Sequence, residues 1–499
     1  MNLSRVISRG ARYFPGKDAI LFGQQRFTYE QLNERVGRVA SYLGEQGISR
    51  GDRVAVYLDN RPEWIMIYYG IVRVGAVAVC ISSAYRSSEV EHLVSDSGPG
   101  ILVTSEALRS NIPELRNSSI KDLLILERDK ILSTLGEEKK TKTTALGVQE
   151  CDADDTCVHL YTGGTTGVPK GAMLTHKNLL YTSQNVCYHE RMAPGDKLLC
   201  FMPLNHVFAG CHIMNSCFYS CATLVLHRGF EMEEIISSIK TNRVNRFYAV
   251  PTVYIRILNT PEFHKHLGSI TYSFSAATSM PLKIVRQWKK TFGLDIHEAY
   301  GMTETSSLVT FNHMYRHKAG SVGTPAGVVE VRIVDGEGRE VEKGGEGEIV
   351  IRGPNIMKGY FNRPEETLEA IRDGWLHSGD VGRLDEEGYL YIVDRIKDVI
   401  ISGGLNVYPA EVEGILYTHE AVEECAVVGM KQDEYGETVT AFIKLKKGKA
   451  ASEDALVRFC KERMASYKAP KRINFVNDLP KTPQGKILKR ELRKSQKTL

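Results

Sequence analysis

The chain has 499 residues, a formal net charge of +4 and ten cysteines at irregular spacing. This length is too great for one ordinary domain. The mild charge and the lack of a basic tract interleaved with aromatic residues argue against a nucleic-acid-binding protein. No stretch of 18 apolar residues occurs, so no membrane-spanning segment is predicted. Cysteines without paired spacing indicate reduced thiols, and the N-terminus lacks the features of a secretory signal; both predict a cytoplasmic protein.

The first half of the sequence alternates short apolar runs with helical patterns. Residues 54–58 and 76–81 are predicted as buried strands, and residues 64–74 between them as a helix. Strands that alternate with helices predict a layered α/β fold with a largely parallel sheet. The pattern resumes over residues 158–311 as a second α/β region.

The pattern changes after residue 320, where glycine recurs and short β-type runs appear at residues 329–334 and 348–351. These runs predict a small β-rich subdomain. After Asp394, helical and strand-like segments predict a compact α+β unit of common domain size. The predicted domains are an N-terminal domain over 1–394 (α/β subdomains over about 1–311, β-rich subdomain over about 320–394), a hinge at 395–397 and a C-terminal lid domain over 398–499.

The strongest local signal is a segment rich in glycine and threonine, YTGGTTGVPKG over residues 161–171. Glycine lets the backbone approach a ligand closely, and consecutive N–H groups and hydroxyls can hold phosphate oxygens while a lysine adds charge. Lys170 is followed by Gly171, so this is not a P-loop of the usual kind. The predicted phosphate-binding residues are Thr162, Gly163, Gly164, Thr165, Thr166, Gly167 and Lys170.

This segment resembles the signature loop of the adenylate-forming superfamily, which contains acyl-CoA synthetases, peptide-synthetase adenylation domains and luciferases. Further motifs follow in the expected order, which is more specific than any one of them: YGMTE at 300–304, HSGD at 377–380, DRIKD at 394–398, SGGLNVYP at 402–409 and PKTPQGKI at 480–487. The resemblance covers nearly the whole chain. The loop is most similar to that of medium- and long-chain fatty acid ligases.

The resemblance implies that ATP and Mg²⁺ bind in the large domain. Tyr300 would pack against adenine beside Ala277, and Thr303 would contact phosphate. Glu304 would bind Mg²⁺, which as a hard cation prefers carboxylate oxygens and bridges phosphates. Asp380 would accept hydrogen bonds from the ribose hydroxyls.

The resemblance also assigns roles around the hinge. Arg395 would contact the nucleotide, and Lys397 would be the hinge about which the small domain turns. Gly404 would line the tunnel for the pantetheine arm of coenzyme A. Lys486 falls on the position of the catalytic lysine, whose ammonium can bridge the substrate carboxylate and the α-phosphate.

The acid-binding side is indicated by the segment PLNHVFA at 203–209, in which His206 would flank the substrate carboxylate. The expected pocket residues are His206, Val207, Val250, Ala276, Gly301 and Met302. A mostly apolar pocket favours a fatty, alicyclic or aromatic acid, because a dicarboxylate would require a cation in the pocket. The chain length of the acid is left open.

The implied activity is that of an AMP-forming carboxylate–CoA ligase, which forms an acyl-adenylate and then an acyl-CoA. The catalytic residues would be Lys486, Thr303, Glu304 and His206. The alternative is a freestanding adenylation enzyme that loads a carrier protein; a luciferase-like oxygenase and a non-catalytic scaffold rank lower. The expected partners are a small carboxylic acid and coenzyme A, without nucleic acid. A monomer or a homodimer, and peripheral membrane contact, stay open.

Overall fold

The computed structural model describes residues 1–112, 120–126, 146–163, 169–278, 280–402, 405–432, 436–481 and 487–494. The strands up to residue 325 are, in chain order, β1 (Asp18–Phe22), β2 (Gln25–Thr28), β3 (Arg53–Tyr57), β4 (Val77–Ile81), β5 (Ile101–Thr104), β6 (Asp122–Ile125), β7 (Thr156–Gly163), β8 (Pro169–Thr175), β9 (Lys197–Cys200), β10 (Thr223–Leu226), β11 (Arg246–Ala249), β12 (Tyr272–Ser275), β13 (Ile296–Tyr300), β14 (Thr310–Phe311) and β15 (Thr324–Pro325).

Two sheets form the large α/β part of the molecule. One has the strand order β6-β5-β3-β4-β7-β8, and the other has the order β15-β14-β13-β12-β11-β9-β10-β1-β2. The central strands of both sheets pair in parallel. All five residues of β4 are buried, as expected for a parallel strand covered on both faces.

The chain after residue 325 forms two smaller sheets. Their strands are β16 (Glu330–Val334), β17 (Gly347–Arg352), β18 (Ile371–Arg372), β19 (Trp375–Leu384), β20 (Leu390–Arg395), β21 (Ile400–Ser402), β22 (Leu405–Val407), β23 (Val422–Gln432), β24 (Gly436–Leu445) and β25 (Arg472–Phe475). Strands β16 to β20 form an antiparallel sheet. Strands β21 to β25 form the second sheet, which is antiparallel except that β24 and β25 pair in parallel.

The helices pack on these sheets and connect their strands. They are α1 (Arg5–Tyr13), α2 (Tyr29–Glu45), α3 (Pro62–Arg73), α4 (Ser87–Ser97), α5 (His176–His189), α6 (Ser216–Tyr219), α7 (Met232–Asn242), α8 (Pro251–Leu258), α9 (Leu282–Phe292), α10 (Pro364–Ala370), α11 (Pro409–Leu416), α12 (Glu453–Lys461) and α13 (Lys489–Lys494), with a π-helix at Phe208–Asn215.

Local sequence explains where several helices begin. Thr28 caps α2 because its hydroxyl accepts from the backbone N–H of Gln31, and the Gln31 side chain accepts in return from the Thr28 backbone N–H. This reciprocal pair satisfies two backbone donors that a helix terminus leaves open. Thr175 and Asn178 form the same arrangement at the start of α5, directly after strand β8.

The two parts of the chain have separate hydrophobic cores. The larger core joins both α/β sheets and the β-rich sheet. A smaller core around Ile400, Val412 and Leu456 belongs to the C-terminal sheet and its helices. The predicted fold class, layered α/β subdomains with a β-rich subdomain and a small α+β C-terminal domain, is confirmed. The domain limits, including the hinge at 395–397, stay a prediction.

Candidate active site

The predicted phosphate loop connects two paired strands. β7 and β8 are antiparallel, and Thr162 pairs with Lys170 at the end of the ladder. The parallel strands β3 and β4 end on the same side of the sheet, where α/β folds place their ligands. Gly163 is the last described residue of β7; Gly164, Thr165, Thr166 and Gly167 lie outside the described residues.

The Glu304 carboxylate lies beside Thr162, the first residue of the predicted loop. It is carried by a single 3₁₀ turn, Thr303–Thr305, that follows strand β13. Its Oε1 atom accepts a hydrogen bond from the Tyr360 hydroxyl at 2.8 Å and a longer one from the Thr162 hydroxyl at 3.4 Å. The backbone carbonyl of Glu304 also accepts from the N–H of Met357 at 2.8 Å. These contacts fix the carboxylate beside the phosphate loop.

Glu304 fits the Mg²⁺ role expected of it, although it stands alone. Within the described residues no group of three or more His, Cys, Asp or Glu side chains is arranged to hold a metal ion. A cation at Glu304 would therefore take its other ligands from phosphate oxygens and water, the usual arrangement for Mg²⁺ bound with a nucleotide. Carboxylate oxygen and water are donors that such an ion prefers.

Lys170 lies beside Glu366 and Tyr360. Its Nζ atom lies 4.0 Å from Glu366 Oε1 and 5.3 Å from the centre of the Tyr360 ring. The side chain is only 14% exposed, so its charge is partly shielded from water. An ammonium in this position can meet phosphate oxygens at the mouth of the loop.

The predicted nucleotide residues Tyr300, Asp380 and Arg395 come together in space. The Tyr300 hydroxyl donates a 2.6 Å hydrogen bond to Asp380 Oδ2. Arg395 is the cross-strand partner of Asp380 in the β19–β20 pair, and its Nε lies 3.5 Å from Asp380 Oδ1. Burial, with the nearby Asp380 charge, raises the pKa of Tyr300 well above its usual value, so the phenol stays a hydrogen-bond donor.

The loop predicted to lie beside adenine has an unusual backbone. Ala277 follows β12 with φ of +75°, the left-handed region that residues with a Cβ adopt at a cost. Ala276 is half-buried and Ala277 is exposed, so the loop presents small side chains at the surface of the cleft.

Two of the predicted acid-binding residues, His206 and Val207, directly precede the π-helix Phe208–Asn215. His206 precedes this helix, and its Nδ1 accepts from the Phe208 N–H at 3.3 Å. Val207 and Val250 are buried, whereas Met302 is half-buried and Gly301 is exposed. A Cβ on Gly301 would lie 1.3 Å from the Ser307 carbonyl oxygen, so only glycine fits there without a backbone shift.

The remaining predicted residues lie at the hinge and beyond it. Lys397 occupies a 3₁₀ turn, Ile396–Asp398, and burial together with the Arg395 charge lowers its pKa. Asp398 in the same turn accepts a 2.8 Å hydrogen bond from Arg493 of α13. Gly404 and Lys486 lie outside the described residues.

Two residues of the site were missed by sequence reasoning. Tyr360 contacts both Glu304 and Lys170, and Glu348 accepts from the Gly379 N–H at 3.0 Å and contacts His377 at 2.8 Å, which positions the segment that carries Asp380. The sequence signal near Tyr360 is the glycine that precedes it. Gly359 has φ of +143°, a backbone conformation that favours glycine.

Comparison with known proteins identifies the family. The model of the AMP-binding enzyme family matches residues 7–361, and that of the AMP-binding enzyme C-terminal domain matches residues 411–486. The chain belongs to this family. As a member of the adenylate-forming superfamily, it is an AMP-forming acid–thiol ligase.

Known proteins are similar to this ligase over nearly their full length. It is 35% identical over 524 residues to a long-chain-fatty-acid–CoA ligase from Bacillus subtilis, which covers 98% of this chain and 94% of the relative. It is 35% identical over 489 residues to a feruloyl-CoA synthase from an Amycolatopsis species, covering 97% of both. The structure of ATP-bound MatB from Rhodopseudomonas palustris superposes with a TM-score of 0.92 at 31% identity, covering 100% and 99% of the two chains.

Two further properties of the ligase bear on earlier predictions. All ten cysteines are free, and nine of them are buried. In the described part of the chain, no helix has the length and apolarity that a membrane crossing needs.

Proposed function

We propose that this ligase activates an apolar carboxylic acid with ATP and passes the acyl group to coenzyme A. The observation that carries the proposal is the segment 300–304, which joins the two halves of the nucleotide site. At one end Tyr300 bonds Asp380, and at the other Glu304 meets Thr162 at the base of the phosphate loop. One short segment therefore fixes the separation between Asp380, the proposed acceptor for the ribose hydroxyls, and Glu304, the proposed Mg²⁺ ligand.

In the first half-reaction a carboxylate oxygen attacks the α-phosphorus of ATP. The bond from the α-phosphorus to the oxygen that bridges the α- and β-phosphates breaks, and pyrophosphate leaves. The main obstacle is the approach of two anions, so fixed positive charge and dipoles are required. Lys170, Thr303 and the 163–167 loop would hold the phosphates, and Lys486 would bridge the carboxylate and the α-phosphate. Bound at Glu304, Mg²⁺ would neutralise phosphate charge.

In the second half-reaction the thiolate of coenzyme A attacks the acyl carbon, and AMP leaves. Lys486 would obstruct the incoming thiol, so the C-terminal domain turns about Lys397 and brings Gly404 to the tunnel. The ion pair of Asp398 with Arg493 supports this assignment, since it ties the hinge turn to helix α13 and makes them move together. His206 would lie against the substrate carboxylate throughout.

The acid is expected to be apolar near its carboxylate. Of the predicted pocket residues, Val207 and Val250 are buried, and Ala276 and Met302 are half-buried. The relatives named above act on a long-chain fatty acid and on a feruloyl group, so both an aliphatic and an aromatic acid are supported. Free, buried cysteines support a cytoplasmic location for the enzyme.

The proposal is tested by release of AMP from ATP and Mg²⁺, with and without coenzyme A, across fatty, alicyclic, aromatic and amino acids. The expected result is AMP release that requires an apolar acid and is accelerated by coenzyme A, with equimolar thioester. AMP release that coenzyme A does not accelerate would instead favour a carrier protein as the acceptor.

A further inference from the structure

A buried polar cluster lies one layer below the predicted acid pocket. It consists of His212, Glu190, Tyr248 and Arg246, with Asp196 beyond them. Glu190 is fully buried and His212 is 2% exposed. None of these residues was expected to take part in the reaction, and burial of charged groups is costly unless it is balanced by hydrogen bonds.

The position of the cluster follows from the alternation of side chains along a strand. Val250, at the predicted pocket, is still in extended conformation just beyond β11. Tyr248 and Arg246 therefore point to the same side of the sheet as Val250, and Tyr248 lies about 7 Å deeper at roughly 3.3 Å per residue. Phe274 is the parallel-strand partner of Tyr248, two residues before Ala276.

His212 lies over this deeper layer. It is on the π-helix that begins directly after His206 and Val207. Its ring centre is 4.6 Å from that of Phe274 and 6.1 Å from that of Tyr248. His206, expected at the substrate carboxylate, therefore precedes the helix, and His212 lies on the helix at the level of the deeper layer.

One edge of the imidazole is fixed by Glu190. His212 Nε2 lies 2.7 Å from Glu190 Oε1, and the Tyr248 hydroxyl donates to Glu190 Oε2. Arg246 Nη1 is 3.8 Å from the same Oε2, and Arg246 Nε is 2.7 Å from Asp196. The carboxylate is thus held by three partners, which fixes the orientation of the ring.

The other edge of the imidazole faces the substrate side. Within the described residues, the hydrogen-bond contact of His212 Nδ1 is the Ser307 hydroxyl, at 3.5 Å, the outer limit of a hydrogen bond. Ser307 borders the predicted pocket, because its carbonyl oxygen occupies the place of a Gly301 Cβ. It also has φ of +102°, so its backbone is held in a strained conformation.

We propose, on the basis of the function proposed above, that His212 and Ser307 form a polar floor that selects compact acids with a hydroxyl at the end remote from the carboxylate. A hydroxyl suits this floor because it both donates and accepts, whichever protonation state the ring adopts. An apolar chain end would give the polar atoms of His212 and Ser307 no hydrogen-bond partner beyond their long contact with each other. A long chain would have to displace the Glu190 cluster.

The test compares cinnamic acid, 4-hydroxycinnamic acid and dodecanoic acid as substrates for thioester formation. For the unaltered enzyme, kcat/KM for the hydroxylated acid is expected to exceed that of cinnamic acid by about tenfold or more, and dodecanoic acid to be the poorest. His212→Phe should bring the ratio of the two aromatic acids to within about twofold of one, chiefly through KM.

Two further variants separate specificity from folding. Ser307→Ala leaves the Glu190 cluster intact and should lower the same ratio, whereas His419→Phe in the C-terminal domain should leave it unchanged. The ratio is measured within one enzyme preparation, so partial unfolding does not alter it.

Three outcomes would overturn the polar floor: a ratio near one in the unaltered enzyme, a preference for dodecanoic acid, or a ratio that His212→Phe and Ser307→Ala both leave unchanged. Thioester formation in any of these cases would still support the ligase. Failure of every acid to give a thioester would instead refute the proposed function on which the floor depends.

Discussion

The Tyr300 hydroxyl donates a 2.6 Å hydrogen bond to Asp380, a residue 80 positions further along the chain. The bond joins the end of strand β13 to strand β19 of the β-rich sheet, and Arg395 holds the other Asp380 oxygen from strand β20. If Asp380 accepts hydrogen bonds from the ribose hydroxyls, Tyr300 has two roles. Its ring would face the base, and its hydroxyl orients the Asp380 carboxylate.

Tyr300→Phe tests that double role, because it keeps the ring and removes the donor. We expect KM for ATP to rise about three- to tenfold, as one buried hydrogen bond to a charged group is lost, while kcat changes less. Steady-state kinetics with varied ATP measure this. An unchanged KM for ATP would show that the hydroxyl does not organise the ribose site.

Glu304→Gln tests the proposed metal carboxylate. The substitution keeps the shape and the Tyr360 contact but removes the charge, so the Mg²⁺ concentration for half-maximal activity should rise and kcat should fall by about 100-fold or more. Glu365→Gln, on an exposed position of α10, is the matched control and should behave as the unaltered enzyme. Equal Mg²⁺ dependence in all three proteins would remove Glu304 from the metal site.

Gly301→Ala tests the close approach of two backbone segments. The added Cβ would lie 1.3 Å from the Ser307 carbonyl oxygen, so the segment that carries Tyr300 and Glu304 must shift. We expect activity to fall by at least about tenfold, because small displacements of reacting groups are costly. Gly336→Ala has open space around it and should be neutral. Full activity in Gly301→Ala would contradict the geometry of this segment.

Glu298 gives a pH-dependent prediction for stability. Burial raises its pKa to about 8, so the folded protein holds this proton at pH values where the unfolded chain, with a pKa near 4.5, has lost it. The unfolded state then binds fewer protons, and the free energy of unfolding falls as pH rises from about 4.5 to about 8.

Glu298→Gln should remove that loss. The apparent Tm is expected to rise by a few degrees at pH 8.5 and to change little at pH 5, relative to the unaltered protein. Thermal unfolding at both pH values, followed by circular dichroism, gives the comparison. An equal effect at the two pH values would mean that Glu298 is not protonated in the folded state.

Much of the fold could be predicted because local patterns determine it. The apolar runs near residues 54–58 and 76–81 form strands β3 and β4, and the helix expected between them is Pro62–Arg73. The α+β pattern after Asp394 likewise gives a separate core.

Long-range pairing could not be predicted in the same way. Strand β1 joins the nine-stranded sheet through Ile20 opposite Leu224, about 200 residues away, and no local signal encodes that partner. The Tyr360–Glu304 contact and the Glu190–His212 cluster have the same origin, because they depend on how whole elements pack. The motifs identified which residue types carry the chemistry, but packing determines what orients them.

Lys486→Ala gives the most direct test of the ligase account, in two separate half-reactions. Acid-dependent exchange of pyrophosphate into ATP should fall by about 100-fold or more, because the bridging ammonium is lost as charge develops. Thioester formation from supplied acyl-adenylate and coenzyme A should stay within a few-fold of the unaltered enzyme. Equal loss of both half-reactions, or unimpaired exchange, would contradict a two-step mechanism in which Lys486 acts only in the first.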